Sequence, residues 1–218
     1  MLRLALMVML FLIPFGFSSC DTVYMATMDK MGYAKRDILS SRVKSARDAQ
    51  EEAKKDIQNA LDQFGKVVAY QGGDLETTYK KLSSELQSSE DSAETVRKRI
   101  ENVESVADAL FSEWTTELGQ YSSADLRRKS EAKLTQTKTR YSNMLAAMKR
   151  AEQRIDPVLK PLRDQVLYLK HNLNARALTA IKGELVKVDA QVDQLVKDMN
   201  RSIAEADKFI QSMENEPG

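Results

Sequence analysis

The chain has few of the residues that most catalytic and metal sites use. It contains one cysteine, one histidine and one tryptophan among 218 residues. A single thiol cannot form an internal disulfide, and one histidine cannot supply a histidine-rich metal site. The motifs G-x-x-x-x-G-K-[ST], H-E-x-x-H, G-x-S-x-G and C-x-x-C do not occur in the sequence. We therefore predict a non-catalytic protein without a metal or other cofactor.

Glycine, proline and aromatic residues are also scarce. There are eight glycines and four prolines, and aromatic residues make up 6% of the chain against 30% for charged residues. This composition is typical of long helices and not of sheet proteins. The 33 basic and 32 acidic residues nearly balance, which predicts no general attraction to nucleic acid.

One apolar run lies near the N-terminus, at residues 4–17. As a helix it would be about 21 Å long, which is shorter than the bilayer core of about 30 Å. Arg3 precedes the run and two serines follow it, a pattern typical of secretory signal peptides. We predict that residues 1–19 are a signal peptide and that residues 20–218 form one helical domain.

Cys20 ends the sequence FSSC, which resembles the lipobox of bacterial lipoproteins. The resemblance implies that Cys20 is acylated and anchors the chain to a membrane. The alternatives are an ordinary signal peptide that ends near a cysteine, or a free thiol. In enteric lipoproteins, an aspartate after the acylated cysteine marks retention at the inner membrane, and Asp21 occupies that place. The expected location is the periplasmic face of the inner membrane, with the outer membrane as the alternative.

The apolar residues of the remaining chain recur in alternating steps of three and four. This spacing is typical of coiled-coil seams. It predicts four long helices joined by short loops, at residues 22–64, 74–118, 123–172 and 175–214. Such helices form an elongated, all-α, antiparallel coiled-coil or up-down four-helix bundle. The predicted third seam includes Lys138.

Glycines, serines and prolines mark the predicted helix boundaries. Gly65 is expected to stop the first helix, and Ser122 lies three residues before Asp125 in a capping-box arrangement at the third. Pro157 and Pro161 each remove a backbone donor inside the third helix. Because the apolar spacing continues through them, we predict a proline kink and not a long loop.

Opposite charges divide between the second and third helices. Residues 126–163 carry a net charge of +8, and residues 74–117 carry −6. Taken alone, the basic segment suggests phosphate binding. Consecutive helices pack side by side, however, so we predict pairing between their flanks and no nucleic-acid partner.

Three loop positions, and Trp114 in one of its two interpretations, are candidates for contact with a protein partner, besides the membrane contact through the anchor. Val67, Val68 and Tyr70 are apolar residues in a loop, and they either plug the end of the bundle or form a contact patch. Trp114 lies on the second seam and is either a core residue or a partner-binding anchor. His171 is expected to be a surface residue at a helix end. The sequence leaves the oligomeric state open.

The chain from Cys20 onward resembles a family of bacterial lipoproteins of unknown function. The resemblance rests on FSSC, on LKHNLNARAL and on the heptads that follow. The family is sometimes labelled a DNA-repair ATPase, but no nucleotide-binding motif in this chain supports that label. The predicted function is a membrane-anchored helical spacer or adaptor. The alternatives are a nucleotide-dependent enzyme and a helical-bundle ligand carrier.

Overall fold

The computed structural model describes residues 35–215, which form α-helices without any β-strand in that range. The helices are α1 (Lys35–Val68), α2 (Leu75–Glu117), α3 (Ala124–Gln153), α4 (Ile155–His171) and α5 (Ala175–Glu214), with a short 3-10 turn at Leu118–Gln120. Cys20, Asp21 and the predicted signal peptide lie outside the described residues. The all-α prediction is confirmed.

The helices pack as an antiparallel four-helix bundle in which α3 and α4 together form the third member. Helix α1 packs against α2 and α5, and the α3–α4 pair packs against the same two helices. Lys35, at the start of α1, forms a 3.0 Å ion pair with Glu113 near the end of α2. Gln63, near the end of α1, donates a hydrogen bond to the carbonyl of Thr78 near the start of α2. The predicted up-down arrangement is therefore confirmed.

One apolar core runs along the bundle. Helix α1 contributes four buried alanines, at positions 46, 49, 53 and 60, together with larger residues such as Leu39 and Phe64. The alanines let neighbouring helices approach closely at those positions. The largest fully buried side chains include Phe64, Phe209, Leu82, Met144, Leu162 and Ile181. Burial of this core is the main contribution to the stability of the bundle.

Two predicted helix boundaries are wrong. Helix α1 does not stop at Gly65 but continues to Val68, because the additional turn places Val67 in the core with no exposed surface. The chain turns instead at Gly73, whose φ of +111° favours glycine. Ser123, not Ser122, caps α3, and its hydroxyl accepts a 3.4 Å hydrogen bond from the backbone of Leu126.

The predicted third helix is kinked, but the break lies before the prolines. Helix α3 ends at Gln153 and α4 begins at Ile155, so Arg154 alone separates them. Pro157 is the third residue of α4, where the backbone N–H has no intrahelical acceptor. Pro161 lies inside α4, and the helix continues through it to His171. The kink is confirmed, and its position is Arg154.

One predicted seam residue in α3 lies on the wrong face. Lys138 is exposed, and the neighbouring Thr137 is buried in its place. The ammonium group of Lys138 lies 5.6 Å from the centre of the Phe111 ring. The long side chain thus covers an aromatic residue at the edge of the core while its charge stays in water.

Candidate functional site

The antiparallel pairing gives the bundle two chemically different ends. The Lys35 end consists of the start of α1, residues 118–123 and the end of α5, and the Gly73 end consists of residues 69–74 and 172–174. The 34 residues of α1 connect the two ends, and a helix of that length spans about 50 Å. Any two ligands bound at opposite ends would therefore be held well apart.

The three predicted contact residues lie at the Gly73 end but do not share one environment. Val67 is fully buried in the core. Val68 and Tyr70 are half-buried and pack against that core. The Tyr70 hydroxyl donates a hydrogen bond to the carbonyl of Gly73, which fixes the ring over the turn. Only Val68 and Tyr70 therefore present surface to a partner.

Val68 and Tyr70 line a groove between the α1–α2 loop and the start of α5. The groove has a volume of about 430 Å³, and we call it the Gly73 groove. Its other lining residues include Gln71, Leu75, Leu178, Thr179 and Lys182. The topology thus brings Val68, Tyr70 and Gln71 together with the start of α5, and the resulting surface combines apolar side chains with one lysine.

Two helix caps hold the walls of the Gly73 groove. The carboxylate of Asp74 accepts hydrogen bonds from the backbone of Thr77 at 3.0 Å and from its hydroxyl at 2.6 Å. These bonds lower the pKa of Asp74, the bond from the hydroxyl most of all. At the start of α5, the side chain of Asn174 accepts a 3.0 Å hydrogen bond from the backbone of Ala177. Both caps satisfy helix N–H groups that otherwise lack acceptors.

Trp114 lies at the Lys35 end, at the edge of the core. It is half-buried, and its indole N–H donates a 2.8 Å hydrogen bond to the hydroxyl of Ser130. It lines a groove of about 310 Å³ together with residues that include Arg36 and Tyr121. Trp114 therefore connects the end of α2 to the first turns of α3.

The charged flanks of α2 and the α3–α4 pair meet as the charge distribution predicts. Arg163 pairs with Glu90 at 2.6 Å, and Lys149 pairs with Glu104. The basic residues of the third bundle member thus contact acidic residues of the second. Basic side chains that are paired with carboxylates are less available to bind the phosphates of a nucleic acid.

One basic residue of the acidic helix α2 pairs with acidic residues of the basic third member, on both sides of the break between α3 and α4. Arg97 of α2 contacts Glu152 before the break at 3.1 Å and Asp156 after it at 2.7 Å. A single guanidinium therefore holds both sides of the kink.

An ion pair at the break, between exposed Arg154 and buried Asp198, was not predicted from the sequence. Asp198 of α5 lies within the bundle, with 8% of its side chain exposed, and Arg154 contacts it at 2.5 Å. Gln194 donates a further, longer hydrogen bond to the same carboxylate at 3.5 Å. A usable signal was present, because Asp198 lies three residues after the seam residue Leu195 and so faces inward.

A buried polar contact between α1 and α5 was also missed. Gln50 and Ser202 have no exposed surface, and the Ser202 hydroxyl donates a 2.7 Å hydrogen bond to the side-chain carbonyl of Gln50. The Gln50 amide in turn donates to the backbone carbonyl of Met148. These two hydrogen bonds link α1 to both α3 and α5, so the contact joins three members of the bundle.

His171 is the last residue of α4 and is exposed, as predicted. Within residues 35–215, no group of three or more histidine, cysteine, aspartate or glutamate side chains is arranged to hold a metal ion. In the same range, every helix is too short or too polar to cross a bilayer.

These features define an elongated, all-α, antiparallel four-helix bundle with two distinct ends. The chain belongs to the family described as "Protein of unknown function (DUF2959)", whose model matches residues 24–213. No curated protein matches the chain. The family match covers the bundle almost to the end of α5 and does not include Cys20.

Proposed function

We propose that this protein is a lipid-anchored helical spacer or adaptor of the cell envelope and has no catalytic activity. In this proposal, acylated Cys20 holds the chain at the periplasmic face of the inner membrane, and the bundle presents its Gly73 end to a protein partner. The observation that carries the proposal is the separation of the two ends by the length of α1, about 50 Å.

The position of Cys20 in the sequence supports an anchor at the Lys35 end. Cys20 precedes Lys35 by fifteen residues, and a chain of that length reaches at most about 50 Å. The acyl groups would therefore keep the Lys35 end near the bilayer, while the Gly73 groove lies at the other end of the bundle. A close-packed core along the whole bundle resists bending, which is what a spacer requires.

The first test concerns the anchor. Membranes from cells that express the full chain are separated on a sucrose gradient, and the protein is extracted for intact-mass measurement. We expect a mature chain that begins at Cys20, carries acyl groups and travels with the inner membrane. Asp21→Ser is expected to move the protein to the outer membrane, and Cys20→Ala to abolish acylation.

The anchor proposal fails if the mature chain begins elsewhere or if Cys20 carries no acyl mass. If the wild type and Asp21→Ser both travel with the outer membrane, the anchor stands and the inner-membrane location is wrong.

The second test concerns the partner. A photo-reactive amino acid is placed in living cells at Gln71 or at Thr179, which line the Gly73 groove from two different segments. We expect both positions to give an adduct with the same protein, identified by mass spectrometry. The control position is Lys98, which is exposed at mid-bundle with 68% of its side chain accessible.

Different proteins captured at Gln71 and Thr179, or an equal adduct at Lys98, would place the partner away from the groove. Calorimetry with ATP tests the absence of catalytic activity separately, because ATP binding at micromolar concentration would favour the enzyme alternative.

A further inference from the structure

The start of α3 contributes no side chain to the core of the bundle. None of its first ten residues, 124–133, is buried, and the first buried side chain is Leu134. Leu126 is 53% exposed in this segment, and Tyr121, in the connection before it, is 43% exposed. The Lys35 end therefore carries two large, largely exposed side chains, one in the first turn of α3 and one just before it.

Basic residues accompany these apolar side chains. Arg127, Arg128 and Lys129 follow Leu126 directly, and all three are exposed. Cations are unfavourable in the first turns of a helix, because the helix dipole is positive there. Asp125 offsets part of this charge through ion pairs with Arg128 at 3.1 Å and Lys129 at 2.8 Å. A run of three basic residues at this position opposes local helix stability, which points to a role outside the helix itself.

We propose that this surface, formed by Tyr121, Leu126 and residues 127–129, rests in the headgroup region of the bilayer. Tyrosine and leucine fit the boundary between headgroups and acyl chains, and arginine and lysine extend from that boundary to anionic headgroups. The proposed occupant is therefore a membrane surface that contains anionic phospholipid.

The inference rests on the proposed acyl anchor at Cys20. Arg36, in the first turn of α1, lines the same groove as Tyr121 and Ser130, so the described chain begins at the same end as the start of α3. The fifteen residues from Cys20 to Lys35 limit the distance of this end from the bilayer to about 50 Å. Such a tether gives a high effective concentration, so individually weak contacts suffice for docking.

The opposite part of the bundle supplies a matched control. Leu167 and Tyr168 are exposed to 58% and 43%, close to the values for Leu126 and Tyr121. They lie in the last turns of α4, next to the Gly73 end. The control pair thus has the same residue types and similar exposure, but it lies at the other end of the bundle and lacks the three consecutive basic residues.

The test places one tryptophan at either end of the acylated full-length protein. Trp114, which is the only tryptophan in the chain, is changed to phenylalanine in both variants, and either Tyr121→Trp or Tyr168→Trp is added. Each protein is incorporated into vesicles of phosphatidylethanolamine and phosphatidylglycerol that contain brominated lipid, which quenches tryptophan on contact. We expect a clear loss of fluorescence for Tyr121→Trp and none for Tyr168→Trp.

Three outcomes would overturn the inference. Protein that does not float with the vesicles contradicts the anchor itself, and the docking proposal fails with it. Protein that floats but shows no quenching of Tyr121→Trp retains the anchor and contradicts only the docking. A Tyr121→Trp emission that changes with protein concentration, without quenching by lipid, assigns the surface to a second copy of the chain.

Discussion

Val67→Ala is expected to lower the free energy of unfolding by about 2 kcal/mol, because it removes two buried methyl groups and leaves a cavity. Val67 has no exposed surface and belongs to the core that reaches the Gly73 end. Urea unfolding followed by circular dichroism measures the change as a shift of the midpoint at constant slope. The protein for this measurement is the chain without residues 1–20.

Val68→Ala is the matched control, since it makes the same chemical change one residue later in the same turn of α1. Val68 is half-buried, so its truncation is expected to cost less than about 1 kcal/mol. The gain in helix propensity from valine to alanine is the same in both variants and cancels in the comparison. Equal losses for the two variants would mean that Val67 is not held in the core.

The same pair of variants separates a plug from a contact patch. Below its melting temperature, Val67→Ala should keep its adducts from Gln71, because the surface of the Gly73 groove is unchanged. Val68→Ala removes groove surface and should weaken those adducts with little loss of stability. We therefore expect Val67 to plug the end of the bundle and Val68 to belong to the contact patch.

The sequence was sufficient for the fold because the apolar spacing is long and regular. Steps of three and four over many turns fix which face of each helix is buried, and short connections fix antiparallel neighbours. The errors lie where one residue shifts the phase or the cap, as at Lys138, Gly65 and Ser122. Tertiary contacts decide such positions: burial of Val67 outweighs the helix-stopping tendency of Gly65.

The candidate sites were less predictable, since they depend on pairs of residues distant in sequence. The Gly73 groove combines Val68 and Tyr70 with Leu178 of α5, more than 100 positions away. The exposure of Leu126 depends on where the core of the bundle begins along α3. The apolar spacing within α3 does not predict that position. The predicted acylation of Cys20 rests instead on a local pattern that lies wholly in FSSC, and it stays a prediction.

Breaking the ion pair between Arg154 and the buried Asp198 is also expected to lower the free energy of unfolding substantially. Arg154→Met keeps most of the side-chain length but leaves the Asp198 carboxylate buried without its cation. Removing one partner from a buried pair typically costs about 3–5 kcal/mol. Because half of the Arg154 side chain is exposed, water can replace part of the lost contact, and we expect about 2–3 kcal/mol.

Changing the other partner, Asp198, tests whether the lost stability comes from a buried, unpaired carboxylate or from disturbed packing at the kink. Asp198→Asn leaves the half-exposed Arg154 side chain free to turn toward water, so its cost is expected to be below about 1 kcal/mol. The double variant Arg154→Met/Asp198→Asn should recover most of the stability lost in Arg154→Met, because no buried charge remains. Urea midpoints for the three variants and the wild type complete the cycle. If the double variant is as unstable as Arg154→Met, the arginine stabilises the break through its own packing and not through its contact with Asp198.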